Sequence, residues 1–292
     1  MGVVIYDALV LAKVSGFLRP GGRVLTLGVP TFAVDPAQLL SELKDRQDFI
    51  GVNPDLLEGY TDYKDFFRRL GFSEADSLDV SRHEGADFVD DLNDPGVATR
   101  LSKRYDLIYD PGTTEHIFDA PTALRTIASL LNIGGVVVHA NPANGFVDHG
   151  FWQLSPDLFR TFYRAAGFSQ LTSALYVLGA NPSAMDAREN IYRVKGRQFI
   201  VENIPAALAV FAAQKVREVH PINVRLQDYY GGADNEGGDA SEAFFIQFAA
   251  AEPARPTVMS KMRQTKLWRA LRKLRDLILN RAAGRNPSKK AA

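Results

Sequence analysis

Cysteine is absent from this sequence of 292 residues, which excludes disulfides, cysteine-ligated metals and a cysteine nucleophile. Long apolar runs are absent too, and none approaches the ~18 residues that span a bilayer. The short apolar runs near the N-terminus are interrupted by Asp7 and Lys13 and follow no basic segment, so we expect no signal peptide. Together these absences favour a cytoplasmic protein.

Several motifs of common enzyme classes are missing as well. There is neither a Walker loop nor a serine nucleophile elbow, which disfavours P-loop NTPases and α/β-hydrolases. Only Gly28 follows the first predicted strand, and Pro30 removes an amide donor from the same loop. Without the G-x-G-x-x-G fingerprint, an NAD(P)-dependent oxidoreductase is also disfavoured.

Basic residues are unevenly distributed, although the net charge is zero. Residues 259–292 carry a charge of +10, which leaves −10 on the rest of the chain. We predict that this tail is a basic amphipathic helix, which either contacts an anionic membrane or a protein, or docks on the domain with its basic face solvated. No nucleic-acid-binding module is recognisable, so no nucleic-acid partner is expected.

The order of predicted elements indicates an α/β fold. Apolar strand patterns alternate with amphipathic helix patterns, which is typical of a doubly wound, mostly parallel sheet with helices on both faces. We place this domain at residues 1–230, with an insertion at about 180–204 that could lie over the site. A flexible linker region, 231–258, precedes the tail.

Polar residues collect after the predicted strands, where ligands bind in such sheets. Gly28 permits close approach of a ligand to the backbone, or is a plain glycine at a strand end. Asp79 could accept hydrogen bonds from two ribose hydroxyls, or be a surface acid. Asp91 could meet an adenine amino group, or belong to a turn with Asn93.

The segment from Asp110 to His116, DPGTTEH, follows a buried strand and places two hydroxyls, Glu115 and an imidazole close together. Histidine is suited to proton transfer near neutral pH. Alternatively, Thr114 and Glu115 begin a helical turn and His116 packs beneath it. A metal is not expected here, because adjacent side chains point apart unless the loop turns.

The segment from Asn141 to Gln153 follows the next strand and combines amides, His149 and large aromatic residues. Such a set suits a pocket that binds a ring or sugar and moves a proton. The candidate substrate contacts are Asn144, Phe151, Trp152 and Gln153. The alternative is an ordinary loop in which Phe151 and Trp152 anchor the core.

Three stretches resemble a bacterial subgroup of the class I SAM-dependent methyltransferases. They are Leu78 to Ala86 (LDVSRHEGA), Asp110 to His116 (D-GTxEH) and His149 to Pro156 (HGF-Q-SP). The resemblance covers about Arg23 to Lys215. It implies a seven-stranded, Rossmann-like sheet ending in an antiparallel hairpin, with S-adenosyl-L-methionine over the strand ends.

The resemblance also implies roles for individual residues. Gly28 would lie under the methionine part of the cofactor, Asp79 would hold the ribose, and Asp91 would lie near the adenine. Asp110 and Glu115 would line the methyl-donor side. One departure stands out: most members of the wider fold have several glycines after the first strand, and this chain has one.

The sequence therefore favours a transferase that methylates oxygen or nitrogen of a small molecule or sugar. If the nucleophile is a hydroxyl, His149 is the first candidate for the base and His116 the second. The alternative is a non-catalytic, methyltransferase-like interaction protein at a membrane surface or a glycan-assembly complex, which the basic tail and the single glycine favour.

Overall fold

The computed structural model describes residues 2–3, 5–32, 35–44, 53–177, 191–193 and 206–224. The linker region, the tail and most of the predicted insertion lie outside this described part of the chain. Within it, no helix is both long and apolar enough to cross a membrane.

A mixed sheet forms the centre of the domain, as the sequence predicts. Its strand order is β5-β4-β2-β6-β7-β10-β8-β9. The strands are β2 (Arg23–Leu27), β4 (Glu74–Asp79), β5 (Phe88–Val89), β6 (Tyr105–Asp110), β7 (Leu131–Asn144), β8 (Phe168–Val177), β9 (Ile191–Arg193) and β10 (Ala207–Lys215). Two further short strands, β1 (Gly2–Val3) and β3 (Thr31–Phe32), pair with each other.

The direction of the strands defines where a ligand can bind. Strands β5, β4, β2, β6 and β7 are mutually parallel, so their carboxyl ends lie at one edge. Strand β10 runs antiparallel to both β7 and β8, which confirms the predicted hairpin. In the described residues, β9 adds an eighth strand to the seven that were predicted.

Helices cover both faces of the sheet, which confirms the doubly wound arrangement. One apolar core contains residues of α1, α2 and α3, and the other contains residues of α4, α5 and α6. Successive strand residues alternate between the two cores, so Val136 and Val138 belong to the first and Val137 to the second. The helices are α1 (Ile5–Ser15), α2 (Pro36–Lys44), α3 (Tyr63–Arg69), α4 (Val97–Leu101), α5 (Ala120–Leu130) and α6 (Pro156–Ala165).

Some local predictions were wrong. The sequence predicts that Gly134 and Gly135 end α5, but that helix ends at Leu130 and the glycines lie within β7. Gly134 has a φ of +88° and lies in an irregularity of the pairing between β6 and β7. The apolar spacing of α6 predicts that Leu158, Phe159 and Phe162 face the core; Phe159 and Phe162 do, but Leu158 is exposed. The short helix α4 was not predicted.

Buried Lys215 joins the end of β10 to the end of α5. Its ammonium donates to the carbonyls of Ala128 and Leu131, at 2.8 and 3.0 Å, and pairs with Glu218 at 2.9 Å. Carbonyls at a helix C-terminus lack partners within the helix, and a cation satisfies them. Lys215 therefore stabilises the junction between α5 and β7.

We expect Lys215→Met to lower the free energy of unfolding by about 2–4 kcal/mol, because buried carbonyls lose a charged donor. Urea denaturation followed by circular dichroism measures the change. Lys44→Met is the control, since the pair between Lys44 and Asp55 is solvent-exposed and should change stability little. Equal losses in the two variants would contradict the assignment.

Candidate active site

A cleft of about 370 Å³ lies across the carboxyl ends of β2, β4, β5 and β6. Three of the residues predicted to bind a cofactor, Gly28, Asp79 and Asp91, line it together with Thr113 and His116. Open parallel sheets bind ligands at this edge, so the strand order itself positions the cleft. The other two predicted residues, Asp110 and Glu115, do not line it.

Gly28 lies where three strand ends meet. Its φ is +75°, and a Cβ on it would lie 3.3 Å from Thr113 Oγ1 and 3.8 Å from Asp79 Oδ2. Its amide donates to the carbonyl of Leu78 at 2.7 Å, and the Thr113 hydroxyl donates to the carbonyl of Leu27 at 2.7 Å. The loop is therefore held by its neighbours, and glycine leaves room for a ligand above it.

Four carboxylates line the cleft, and the two that were predicted to bind a cofactor have different surroundings. Asp79, half-buried at the end of β4, accepts a hydrogen bond from the Ser81 amide through Oδ1. Asp91 is exposed, and its Oδ1 accepts from both the amide and the side chain of Asn93. In the described residues no donor meets Oδ2 of either carboxylate, so this oxygen can accept from a ligand within the cleft.

Asp110 is fully buried at the end of β6, beneath the loop that follows. Its Oδ1 accepts from the amides of Thr113 and Thr114, and its Oδ2 accepts from the hydroxyl of Thr114. The same Oδ2 lies 2.8 Å from His139 Nδ1 and 3.0 Å from Asn141 Nδ2. Burial alone would raise the pKa of Asp110, but the hydrogen bonds and the charge of His139 hold it below its usual value.

Glu115 is also fully buried, on the 3₁₀ turn Thr114–His116. Its Oε2 accepts from Asn141 at 2.9 Å, whereas its Oε1 has no hydrogen-bond partner among the residues that the structure describes. Two imidazole nitrogens approach Oε1, His116 Nε2 at 3.7 Å and His149 Nε2 at 3.8 Å. Burial, and then the charge of Asp110, raise the pKa of Glu115 to about 8.

The loop between β7 and α6 brings His149 to Glu115. A Cβ on Gly150 would lie 2.9 Å from the carbonyl oxygen of Glu115, so glycine permits the close approach of the two loops. The Trp152 amide donates to that same carbonyl at 3.2 Å, and its indole donates to the carbonyl of Ile117 at 3.0 Å. These contacts hold the loop between β7 and α6, here called the second loop, against the segment after β6 that carries Glu115.

The two candidate bases lie side by side. The rings of His116 and His149 have centroids 5.1 Å apart, and their side chains are 45% and 39% exposed. Burial, followed by the neighbouring His149, lowers the pKa of His116. Because His116 also lines the cleft, it connects the cleft with the Glu115 side of the site.

Two aromatic residues of the loop between β7 and α6, Phe151 and Trp152, are exposed and do not anchor the core, whereas Phe146 packs against it. Phe151 is 66% and Trp152 is 42% exposed, beside Phe118 at 69%. The ring of Phe118 lies 5.6 Å from that of Phe151 and 6.4 Å from that of Trp152. These three rings form an aromatic patch next to the histidines.

The remaining predicted substrate contacts hold the loop in place. Gln153 accepts a hydrogen bond from the Phe146 amide through its side-chain oxygen. Asn144 is the last residue of β7 and pairs with Ala207 of β10. Both residues lie at the base of the loop that carries His149.

Two residues below the site were missed by the sequence reasoning. His139, on β7, bonds through Nδ1 to Asp110 and lies 2.6 Å through Nε2 from the hydroxyl of Tyr163 on α6. Both are fully buried. A histidine within a run of valines is the one available signal, because such a strand buries any polar side chain that it carries.

The sequence argument against a metal assumed that Glu115 and His116 point apart. The 3₁₀ turn instead directs both towards His149, and one ligand atom from each of the three residues lies within 4.8 Å of the others. We call these three residues the Glu-His-His cluster.

No protein-family model matches the sequence, and no curated protein matches it either. Solved structures do. TehB from Haemophilus influenzae is 16% identical, with a TM-score of 0.35 over 72% of this chain and 62% of that chain. The CurJ carbon methyltransferase is 14% identical, with a TM-score of 0.41 over 73% and 54%.

A possible histamine N-methyltransferase from Thermotoga maritima is 18% identical, with a TM-score of 0.33 over 72% of this chain and 95% of that chain. The matched part of this chain thus spans less than two thirds of TehB and of CurJ.

Proposed function

We propose that this protein is a SAM-dependent methyltransferase that acts on an oxygen or nitrogen of a small molecule or sugar. The observation that carries the proposal is the cleft across the ends of β2, β4, β5 and β6, which combines Gly28 with the carboxylates of Asp79 and Asp91 and has His116 in its wall. The strand order supports it, because the antiparallel β10 inserted between β7 and β8 is the hairpin that the sequence resemblance implies.

The residues of the cleft fit an adenosyl group. Gly28 leaves open the space that a Cβ would fill beside Thr113 and Asp79. The second carboxylate oxygen of Asp79 suits a pair of ribose hydroxyls, and Asp91 suits an exocyclic amine. When bound, S-adenosyl-L-methionine supplies an electrophilic methyl group. A volume of about 370 Å³ is within the range that holds small molecules.

The acceptor side of the proposed site is formed by the second loop. The exposed rings of Phe118, Phe151 and Trp152 can stack on a planar ring or on the apolar face of a sugar. His149, next to this aromatic patch, can accept a proton from a hydroxyl nucleophile, and His116 is the second candidate. Positioning the nucleophile contributes much of the rate in such transfers.

Calorimetric titration with S-adenosylhomocysteine tests the proposal. We expect one binding site per chain, and we expect Gly28→Val to abolish binding, because its side chain would occupy the space beside Thr113 and Asp79. Gly59→Val is the control, since Gly59 also has a positive φ but no atom within 4 Å of an added Cβ. No binding at millimolar ligand would refute the proposal and favour the non-catalytic alternative.

A further inference from the structure

We propose that the Glu-His-His cluster binds a divalent transition-metal ion through Glu115 Oε1 and one nitrogen from each of His116 and His149. The three ligand atoms lie within 4.8 Å of one another. The two imidazoles approach the same carboxylate oxygen, at 3.7 and 3.8 Å. These distances are too long for hydrogen bonds, so no direct bond between the ligands competes with an ion.

The second observation is the state of Glu115 Oε1. Among the described residues this oxygen is buried without a hydrogen-bond partner, while Oε2 of the same side chain accepts from Asn141. A buried polar atom that lacks a partner costs free energy. A cation between Oε1 and the two imidazoles would remove that cost.

The geometry is close to what an ion requires. Metal–ligand bonds of about 2.0–2.1 Å place ligand atoms roughly 3.0–3.5 Å apart. The distances of 3.7 and 3.8 Å from Glu115 Oε1 to the two imidazoles therefore need to shorten by less than about 1 Å, and the imidazole nitrogens, which lie within 4.8 Å of each other, by less than about 2 Å. Both histidine side chains are partly exposed and can rotate, whereas Glu115 is held by Asn141. The carboxylate is therefore the fixed ligand and the histidines are the adjustable ones.

The donor set selects the kind of ion. Two imidazole nitrogens and one carboxylate oxygen suit zinc, cobalt, iron or manganese better than calcium or magnesium, which prefer oxygen ligands. Three protein ligands leave coordination positions open, as in catalytic sites. Exposure of both histidines means that those positions face solvent beside the aromatic patch.

A metal ion at this cluster would add a step to the proposed methyl transfer, although binding of the ion does not require that the protein be a methyltransferase. A hydroxyl bound to a divalent ion loses its proton more readily, so the ion would activate the acceptor and His149 would serve as a ligand instead of a base. The position of the site follows from Gly150, because only glycine lets the loop that carries His149 approach the Glu115 carbonyl this closely.

Titration of untagged, chelator-treated protein with Co²⁺ tests the site, because bound Co²⁺ gives a visible absorption spectrum. We expect one equivalent to bind and to be displaced by Zn²⁺. His116→Ala and His149→Ala should each weaken binding at least about tenfold, and Glu115→Gln should do the same if it folds. The two histidine variants keep the test valid if the buried glutamine variant does not fold.

His220→Ala is the matched control. His220 also lies beside a carboxylate, Glu218, at 3.5 Å, but it belongs to no three-residue cluster among the described residues. Absence of a Co²⁺ spectrum, or the same affinity in all variants, would overturn the proposal. Titration with S-adenosylhomocysteine on the same preparations separates this result from the proposed function: failure of one titration leaves the other interpretable.

Discussion

Replacing Asp110 by asparagine is expected to lower the free energy of unfolding by about 3 kcal/mol, although the two side chains have nearly the same shape. The asparagine oxygen can still accept from the amides of Thr113 and Thr114. Its amino group would face the donors that now meet Oδ2, among them the side chain of Asn141. A buried donor that faces another donor has no acceptor, and the free-energy cost of that missing hydrogen bond accounts for the expected drop in the free energy of unfolding.

Asp106→Asn provides the matched control, since Asp106 lies on the same strand and accepts from the Arg23 amide and from Asn132. This carboxylate is only partly buried, so water can replace a lost hydrogen bond, and we expect a loss of about 1 kcal/mol. Urea denaturation of the two variants gives the comparison. If Asp110→Asn costs no more than Asp106→Asn, then Asp110 does not hold the site together in the way that its contacts indicate.

The position of Asp110 shows where sequence reasoning stops. Its place at the end of a buried strand follows from the apolar pattern and from the Pro-Gly turn after it. Its burial does not, because its partners His139 and Asn141 come from the next strand, 29 and 31 residues away. A local sequence pattern cannot show which distant donors reach a carboxylate. A carboxylate that lines the cleft, such as Asp79, therefore cannot be told in sequence from one that is buried beneath it, such as Asp110.

The doubly wound sheet was more predictable than the site that it carries. Strand and helix patterns are local, and right-handed connections leave few ways to arrange them. By contrast, the approach of His149 to Glu115 depends on how two loops pack. The glycine that follows His149 is the single sequence sign of that approach, and it acquires a meaning only beside the Glu115 carbonyl.

The exposed aromatic residues illustrate the same limit. In a helix, spacing indicates which side chains face the core, and it did so for Phe159 and Phe162 on α6. In a loop no period applies, so Phe151 and Trp152 suited a core position and a substrate pocket equally well. In the structure both side chains are exposed, and the amide and indole of Trp152 donate hydrogen bonds to the segment that carries Glu115.

Replacing Asp79 by alanine is expected to weaken binding of S-adenosylhomocysteine about 30- to 100-fold, on the basis of the proposed function. A carboxylate that accepts from two ribose hydroxyls makes charged hydrogen bonds, and losing them costs roughly 2–3 kcal/mol. The fold should survive, because in the described part of the chain the Asp79 side chain has one hydrogen-bond partner, the Ser81 amide, at an exposed position. Calorimetry measures affinity, and thermal unfolding checks the fold.

Glu84→Ala separates a specific contact from the general effect of charge. Glu84 is another carboxylate on the wall of the same cleft, so its removal also takes away one negative charge. We expect the Glu84→Ala variant to bind S-adenosylhomocysteine with an affinity within about threefold of the wild type, since exposed charges are screened by solvent and salt. If both variants bind equally weakly, the cleft attracts the ligand by charge alone; if both bind like the wild type, the adenosyl group does not lie against Asp79. Only a loss confined to Asp79→Ala places the ribose at the end of β4, beside Gly28.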